Sequence, residues 1–115
     1  MSFRAPVRDL AFALKTLGHS ELLAQAFPEL DEATALAVLE AAAAFAEGEL
    51  APLNRTGDIN GARYENGRVT AAPGFADAYR HFVEQGWNSL SADPAYGGQG
   101  LSKAMELAVF EMVHA

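Results

Sequence analysis

Residues 31–53 read DEATALAVLEAAAAFAEGELAPL, and the apolar spacing in this stretch organises the rest of the chain. Apolar residues recur here at steps of three and four, along Leu36, Leu39, Ala43, Ala46, Leu50 and Leu53. Such a seam is typical of a long helix that packs on other helices. Asp31 suits the N-cap. A proline ring clashes with the carbonyl four residues back, so Pro52 predicts a kink near Gly48.

Two shorter helices are predicted before this one. Residues 8–17 carry one apolar stripe at helical spacing, and Gly18 supplies a left-handed stop. Residues 21–26 form a second short helix that Ser20 is placed to cap. Pro28 ends this second helix, because the residue before a proline avoids the helical region.

A turn and a hairpin are predicted after the long helix. Residues 54–61 (NRTGDING) are turn-forming residues throughout. In residues 63–70, the pair Asn66-Gly67 is the strongest short hairpin signal, because both residues tolerate a positive φ. The flanking strands are short, so we expect a small hairpin that leans on helices for its stability.

A fourth helix is predicted after Pro73. Its apolar face comprises Phe75, Ala78, Tyr79, Phe82 and Val83. Gly86 has the position of a left-handed stop, and Trp87 is then expected to pack back onto Phe82.

A loop over residues 88–100 leads into the last predicted helix, which runs from about Ser102 to the end of the chain. Its stripe comprises Leu101, Met105, Val109 and Met112. The pattern stops at Ala115 without a capping residue, which suggests a chain cut from something longer. We therefore expect a mainly α fold of about five helices in an orthogonal or bundle-like domain, with one small β-hairpin.

Composition limits the function classes. The chain has 115 residues, half of them hydrophobic, which suits one folded domain. A net charge of −7 disfavours nucleic acid as a partner. The lack of cysteine excludes disulfides, thiolate metal sites and cysteine catalysis, and it fits a reducing compartment, so we expect a cytoplasmic protein. No apolar run is long enough to predict a membrane span.

The three histidines do not predict a metal site, because His19, His81 and His114 lack ligand spacing. His81 lies one turn after Asp77, and the simplest interpretation is a solvated pair. His19 lies between two helices, where capping is the expected role.

Serines and carboxylates are equally uninformative about catalysis. No serine lies in a nucleophile-elbow sequence, and Ser102 is best explained as a helix cap. Glu106 and Glu111 are acid–base candidates only in the sense that any glutamate is.

A glycine-rich stretch comprises Tyr96, Gly97, Gly98, Gln99, Gly100 and Leu101. It precedes a helix N-terminus, where free N–H groups can hold an anion. It lacks the Walker pattern, and no strand precedes it as a dinucleotide fingerprint requires. On spacing alone, a tight structural turn is the favoured interpretation and an anion site is the alternative.

The order of these signals resembles a known family. The long helix ends in FAEGELAPLN (residues 45–54), the hairpin follows, and PGF (73–75) opens a helix that ends in Gly86-Trp87. PAYGGQGL (94–101) and a helix containing Glu111 complete the set. This order is similar to the N-terminal domain of flavin-dependent acyl-CoA dehydrogenases. The opening FRAPVRDLAF (3–12) resembles the extra N-terminal segment of a bacterial branch that includes the methylmercaptopropionyl-CoA dehydrogenases.

The resemblance implies a larger FAD-dependent enzyme. Such enzymes remove hydrogens from the α and β carbons of an acyl-CoA thioester, with a glutamate taking the α proton and flavin N5 taking the β hydride. The resemblance places the flavin and that glutamate in a middle β domain and a C-terminal helical domain. It makes residues 1–115 the N-terminal helical domain, with residues 1–30 as the extra segment. No catalytic, metal-binding or flavin-contacting residue is carried over, and the turn over Tyr96–Leu101 is expected to face the other domains and help close the site.

The sequence therefore predicts the N-terminal part of an acyl-CoA dehydrogenase, inactive by itself and without bound FAD. The partners of the whole protein would be an acyl-CoA substrate, an electron acceptor and further copies in a homo-oligomer. A free-standing helical interaction module is the alternative. We also expect the chain to associate through an uncovered apolar patch, formed by Met105, Val109 and Met112 or by the seam of residues 36–53.

Overall fold

The computed structural model describes residues 2–115. The first half is helical: α1 (Val7–Thr16), α2 (His19–Ala26), α3 (Glu32–Phe45), a π-helical turn (Ala46–Leu50) and α4 (Ala51–Asn60). The second half contains β1 (Arg63–Glu65), β2 (Arg68–Thr70), α5 (Phe75–Glu84), 3₁₀ turns at Trp87–Ser89 and Pro94–Tyr96, and α6 (Lys103–His114). The helix α3, the π-helical turn and α4 follow one another without a break, so residues 32–60 count as one long helix. The described residues then form five helices and one hairpin, and the predicted fold class is confirmed.

The core lies between α3 and α6, with α1 and α2 packed beside them. The most deeply buried large side chains are Leu39 of α3 and Met105, Val109 and Met112 of α6. We expected either these three α6 residues or the seam of residues 36–53 to be left partly uncovered. The first alternative is wrong, because α3 covers the three α6 residues, whereas Leu36 of the seam is 41% exposed.

The long helix changes register instead of breaking. Over Ala46–Leu50 the backbone widens into a π-helical turn, in which the Ala51 N–H donates to the Ala46 carbonyl. Pro52 follows this turn after Ala51, and it has no N–H to donate to the Gly48 carbonyl as a continuing α-helix would require. The wider turn therefore occurs where one α-helical hydrogen bond cannot form. Helical structure survives on both sides of the predicted kink, as expected.

The predicted turn over residues 54–61 is wrong. These residues continue the helix as α4 as far as Asn60, whose side-chain amide also donates to the Thr56 carbonyl. Turn-forming residues oppose helix initiation more than helix continuation, because nucleation is the costly step. Here the preceding helix supplies the nucleus, and the chain leaves it only at Gly61, with φ +60°.

The hairpin is confirmed in its predicted position. Tyr64 pairs with Val69 across the two antiparallel strands, and Asn66 and Gly67 form the turn with φ of +51° and +76°. Every strand residue is exposed, including Tyr64 and Val69. Our expectation that helices would support the strands is therefore wrong.

Three helix starts test the predicted caps. Asp31 accepts from the Thr34 N–H, and Ser102 accepts from the Met105 N–H, so both of these predictions are confirmed. Ser20 is not a cap. The helix α2 begins at His19, directly after Gly18, whose φ of +82° confirms the left-handed stop. Only Leu17 and Gly18 separate α1 from α2.

Trp87 is buried in an aromatic cluster. Gly86 has the predicted left-handed conformation, with φ +80°. The Trp87 ring lies 6.2 Å from the Phe45 ring, which in turn lies 6.2 Å from the Phe82 ring. Trp87 therefore packs on Phe45 of α3, and our expectation of direct packing on Phe82 is corrected.

Across residues 2–115, no helix has both the length and the apolar character needed to cross a bilayer.

Candidate functional site

The glycine-rich turn holds one aromatic side chain outward. Residues 94–96 form a single 3₁₀ turn, and the Asp93 carboxylate accepts from the Ala95 N–H at 2.8 Å to cap it. Tyr96 ends this turn with 90% of its surface exposed. The chain then reverses at Gly97, with φ +85°. Tyr96 thus lies on a short, locally capped turn.

The backbone donors of this turn point inward. Five consecutive N–H groups donate to carbonyls of the preceding segment over 2.8–3.1 Å: Gly97 to Pro94, Gly98 to Asp93, Gln99 to Ser89, Gly100 to Ala92 and Leu101 to Leu90. An anion cradle needs N–H groups that are free to donate to a ligand. The N–H groups of residues 97–101 are therefore not free to bind an anion, which agrees with the tight structural turn that we favoured. An anion site at the N-terminus of α6 stays the alternative. The same N–H groups are not available to a flavin phosphate, and the resemblance places the flavin in other domains, so we derive no flavin step from this turn.

Close packing fixes the turn against its surroundings. A Cβ on Gly98 would lie 2.0 Å from the Ala92 carbonyl oxygen, so the site admits only glycine. The Gln99 side chain covers Gly86 so closely that a Cβ there would lie 2.7 Å from the Gln99 nitrogen. The turn is therefore a rigid structure between the end of α5 and the start of α6.

Glu106 joins the turn region to α6. Its Oε2 atom accepts from the Ser91 hydroxyl at 2.8 Å and from the Lys103 ammonium. Hydrogen bonds from Lys103 first and Ser91 second lower the pKa of Glu106 below its usual value. A carboxylate held ionised in this way serves as an anchor rather than a general acid. Glu111, the other candidate, lies exposed on α6.

His19 is buried rather than exposed as a cap. Its Nε2 atom lies 2.9 Å from the Ser102 hydroxyl, 83 residues along the chain. Burial lowers the pKa of His19, because desolvation disfavours the charged ring. The sequence singled out both residues but gave no signal that they meet.

His81 pairs with a different carboxylate from the predicted one. Its Nδ1 atom lies 2.7 Å from Glu49 Oε2, while Asp77 forms an ion pair with Arg80 at 3.0 Å. The third histidine, His114, lies edge-on to Phe110 at the end of α6. In the part of the chain that the structure describes, no cluster of three metal-binding side chains occurs.

An apolar groove opens where α4, α5 and the end of α6 meet. It has a volume of about 380 Å³ and is lined by Leu50, Leu53, Asn54, Phe75, Ala78, Tyr79, Phe82, Val113 and His114. Phe75, Tyr79 and Val83 of α5 remain 40%, 68% and 39% exposed. We name these three side chains the open face of α5. The sequence identified all three as part of the apolar face of this helix but did not say whether that face is covered.

Known proteins resemble the whole chain. It is 42% identical over 118 residues to the 3-methylmercaptopropionyl-CoA dehydrogenase of Ruegeria pomeroyi, covering all of this chain and 20% of that protein. It is 30% identical over 120 residues to the broad-specificity linear acyl-CoA dehydrogenase FadE5 of Mycobacterium tuberculosis, covering 96% of this chain and 19% of that protein. The predicted resemblance to acyl-CoA dehydrogenases is confirmed, and the chain spans about a fifth of these relatives' length. No protein-family model matches the sequence.

Proposed function

We propose that residues 1–115 form the N-terminal helical domain of an FAD-dependent acyl-CoA dehydrogenase, with residues 1–30 as an added helical segment. The observation that carries this proposal is the similarity of the entire chain to a fifth of each relative. In this proposal the chain is a scaffold. The α,β-dehydrogenation of an acyl-CoA thioester belongs to the larger protein, a cytoplasmic homo-oligomer that passes its electrons to an acceptor.

The rigid turn is the proposed contact with the rest of that protein. Its inward N–H groups and the packing of Gly98 hold Tyr96 in a fixed, exposed position. A preorganised aromatic side chain loses little conformational entropy when it is buried in an interface. Residues 96–101 would in this way help to close the acyl and flavin site from outside, without touching the reacting atoms.

The open face of α5 and its groove are the second proposed contact. Three large apolar side chains on one helix are typical of a surface that another element covers. Val113 and His114, in the last turn of α6, also line the groove. In this proposal, the polypeptide that follows α6 begins beside this groove and can pack over its apolar surface.

The test is to express the full reading frame, including any codons after Ala115, and compare it with residues 1–115 alone. We expect the longer product to be yellow and to reduce an artificial electron acceptor when given an acyl-CoA. The 115-residue chain should be colourless and inactive. Tyr96→Ala in the longer protein should lower kcat/KM while leaving the flavin content unchanged. Exposed Leu107 of α6 provides the matched control, Leu107→Ala. A longer product without flavin, or a stop codon after Ala115, would contradict the proposal.

A free-standing helical interaction module is the second candidate function. The observation that favours it is the closed core, in which Met105 and Val109 are fully buried without any further domain. Light scattering of the 115-residue chain at micromolar concentration separates the two. A dimer or larger species that dissociates in Tyr79→Lys indicates that the open face of α5 needs a cover, as the domain proposal requires. A 12.2 kDa monomer favours the module.

A further inference from the structure

A second apolar groove lies on the opposite end of the helical layer, among α1, α2 and α3. Its volume is about 450 Å³, and its apolar lining comprises Ala11, Leu14, Leu23, Ala33, Ala35, Leu36 and Leu39. The floor consists of core residues, since Leu23 and Leu39 are almost completely buried. Leu36, on the wall, remains 41% exposed. The groove is thus an opening into the core.

One buried polar side chain lines this groove. His19 is 6% exposed, while the other polar lining residues, Lys15, Ser20 and Glu32, are less buried. The Nε2 atom of His19 contacts Ser102, and its Nδ1 atom makes no hydrogen bond with residues 2–115. No buried side-chain nitrogen or oxygen in that range lacks a partner, so Nδ1 must reach the surface. The groove is an opening in the surface, and His19 is one of the residues that line it.

The hydrogen bonds of Ser102 assign the protons of His19. The Ser102 hydroxyl oxygen accepts from the Met105 N–H at 3.2 Å. Ser102 is 2% exposed, so its hydroxyl proton needs a buried acceptor, and the His19 Nε2 atom at 2.9 Å provides one. A neutral imidazole that accepts at Nε2 carries its proton at Nδ1. Burial lowers the pKa of His19, which keeps the ring neutral at pH 7. Because His19 lines the groove, this N–H is the donor that its ring can offer there.

The rim of the groove has no net charge. The Lys15 ammonium lies 4.0 Å from the Glu32 carboxylate, and both side chains are largely exposed. One cation and one anion at this distance offset each other, so the rim favours neither an anionic nor a cationic ligand. The protein as a whole carries −7, which further disfavours anions.

We propose that this groove is a binding site for a neutral organic molecule with an apolar body and one carbonyl oxygen, such as an aryl or alkyl ketone, ester or amide. The apolar body contacts the leucines and alanines of the walls, and the carbonyl oxygen accepts from Nδ1–H of His19. A mainly apolar pocket with a single polar group that orients the ligand is typical of small-molecule sites. The site is independent of the proposed dehydrogenase role, because it lies wholly within α1, α2 and α3.

The first test uses two probes that differ in one group. Acetophenone has a phenyl body and a carbonyl, and ethylbenzene has the same carbon skeleton with a methylene in place of the carbonyl. Saturation-transfer NMR with the 115-residue chain at pH 7.5 gives both dissociation constants. We expect acetophenone to bind about fivefold more tightly, which is the usual net effect of one hydrogen bond. Its titration should also shift the His19 ring ¹⁵N resonances. Equal affinities or unshifted resonances would overturn the proposal.

Two conservative variants separate the two nitrogens of His19. A glutamine amide reaches about as far as Nε2, so His19→Gln keeps a partner for Ser102 and removes the groove donor. An asparagine amide lies about where Nδ1 does, so His19→Asn keeps the groove donor. We expect acetophenone to lose its about fivefold advantage in His19→Gln and to retain it in His19→Asn. The reverse order would contradict the assigned donor.

Two further variants locate the site without touching His19. Leu36→Ala should weaken acetophenone and ethylbenzene by the same factor, because it removes only apolar wall. Leu107→Ala, on the exposed side of α6, should change neither affinity. An effect of Leu107→Ala as large as that of Leu36→Ala would place the binding elsewhere and overturn the proposal.

Discussion

The helices α5 and α6 carry similar apolar stripes but have different surroundings. On α6, Met105, Val109 and Met112 are 0%, 0% and 2% exposed, because α3 packs against them. On α5, the open face of Phe75, Tyr79 and Val83 remains about 40–70% exposed. Helical periodicity therefore identified the apolar side of each helix correctly. It did not say whether another element would be present to cover that side.

The largest expected effect is on stability, and it separates a buried aromatic residue from an exposed one. Trp87→Ala should lower the free energy of unfolding by about 3–5 kcal/mol, because the ring is buried against Phe45. Tyr79→Ala, on the open face of α5, should change it by less than about 0.5 kcal/mol. Urea denaturation monitored by circular dichroism measures both. Similar losses in the two variants would mean that α5 is covered, for instance by a second copy.

An intermediate difference in stability is expected between alanine substitutions at two closely packed glycines. Gly98→Ala should cost about 1–3 kcal/mol, because its Cβ meets a backbone oxygen that cannot move alone. A Cβ on Gly57 in α4 would lie 2.8 Å from the tip of the Phe75 ring. That ring is partly exposed and can turn away, while alanine gains about 1 kcal/mol of helix propensity.

Thermal unfolding of the two alanine variants measures this difference. We expect Gly57→Ala to melt within a few degrees of the unmodified chain and Gly98→Ala to melt clearly lower. A Gly98→Ala variant with unchanged stability would show that the glycine-rich turn is less rigid than its packing indicates.

The smallest expected effect is a pH dependence that originates in His19. Burial lowers the pKa of His19 in the folded state below the 6.5 of an unperturbed ring. As the pH falls below 6.5, the unfolded chain binds a proton that the folded chain resists, so stability is lost. The contribution is fully present above pH 6.5 and decreases as the pH falls towards the folded pKa.

The pH prediction is tested by comparing two proteins, so that other titrating groups cancel. Urea denaturation at pH 7.5 and pH 5.5 gives the loss of stability on acidification. We expect this loss to be larger in the unmodified chain than in His19→Gln, whose side chain does not titrate. The same loss in both proteins would show that His19 titrates normally and is not buried as neutral imidazole.

Local chemistry was the predictable part of the fold. The caps at Asp31 and Ser102, the Asn66-Gly67 turn and the left-handed stop at Gly86 were all correct. Each depends on a hydrogen bond or a backbone angle within a few residues. The predicted turn over residues 54–61 failed because helix continuation from α3 outweighed the propensities of individual residues.

The candidate site was only partly predictable. The stretch Tyr96–Leu101 was identified from its glycines, but the inward direction of its N–H groups depends on where residues 89–94 lie. The pairs His19–Ser102 and Glu49–His81 join residues 83 and 32 positions apart. No sequence pattern here signals either pair. Glu49 replaces the local partner Asp77 that spacing had favoured for His81, while Ser102 contacts His19 in addition to its predicted local cap.

The sequence by itself determined the helical class, the hairpin, the caps at Asp31 and Ser102 and the acyl-CoA dehydrogenase resemblance. Those features follow from composition and from interactions between near neighbours, whose energies depend little on the rest of the chain. The tertiary structure alone decided which apolar faces are covered and that a buried histidine, His19, lines a groove while it contacts Ser102. Burial is a property of distant elements brought together, because desolvation and packing depend on everything that surrounds a side chain.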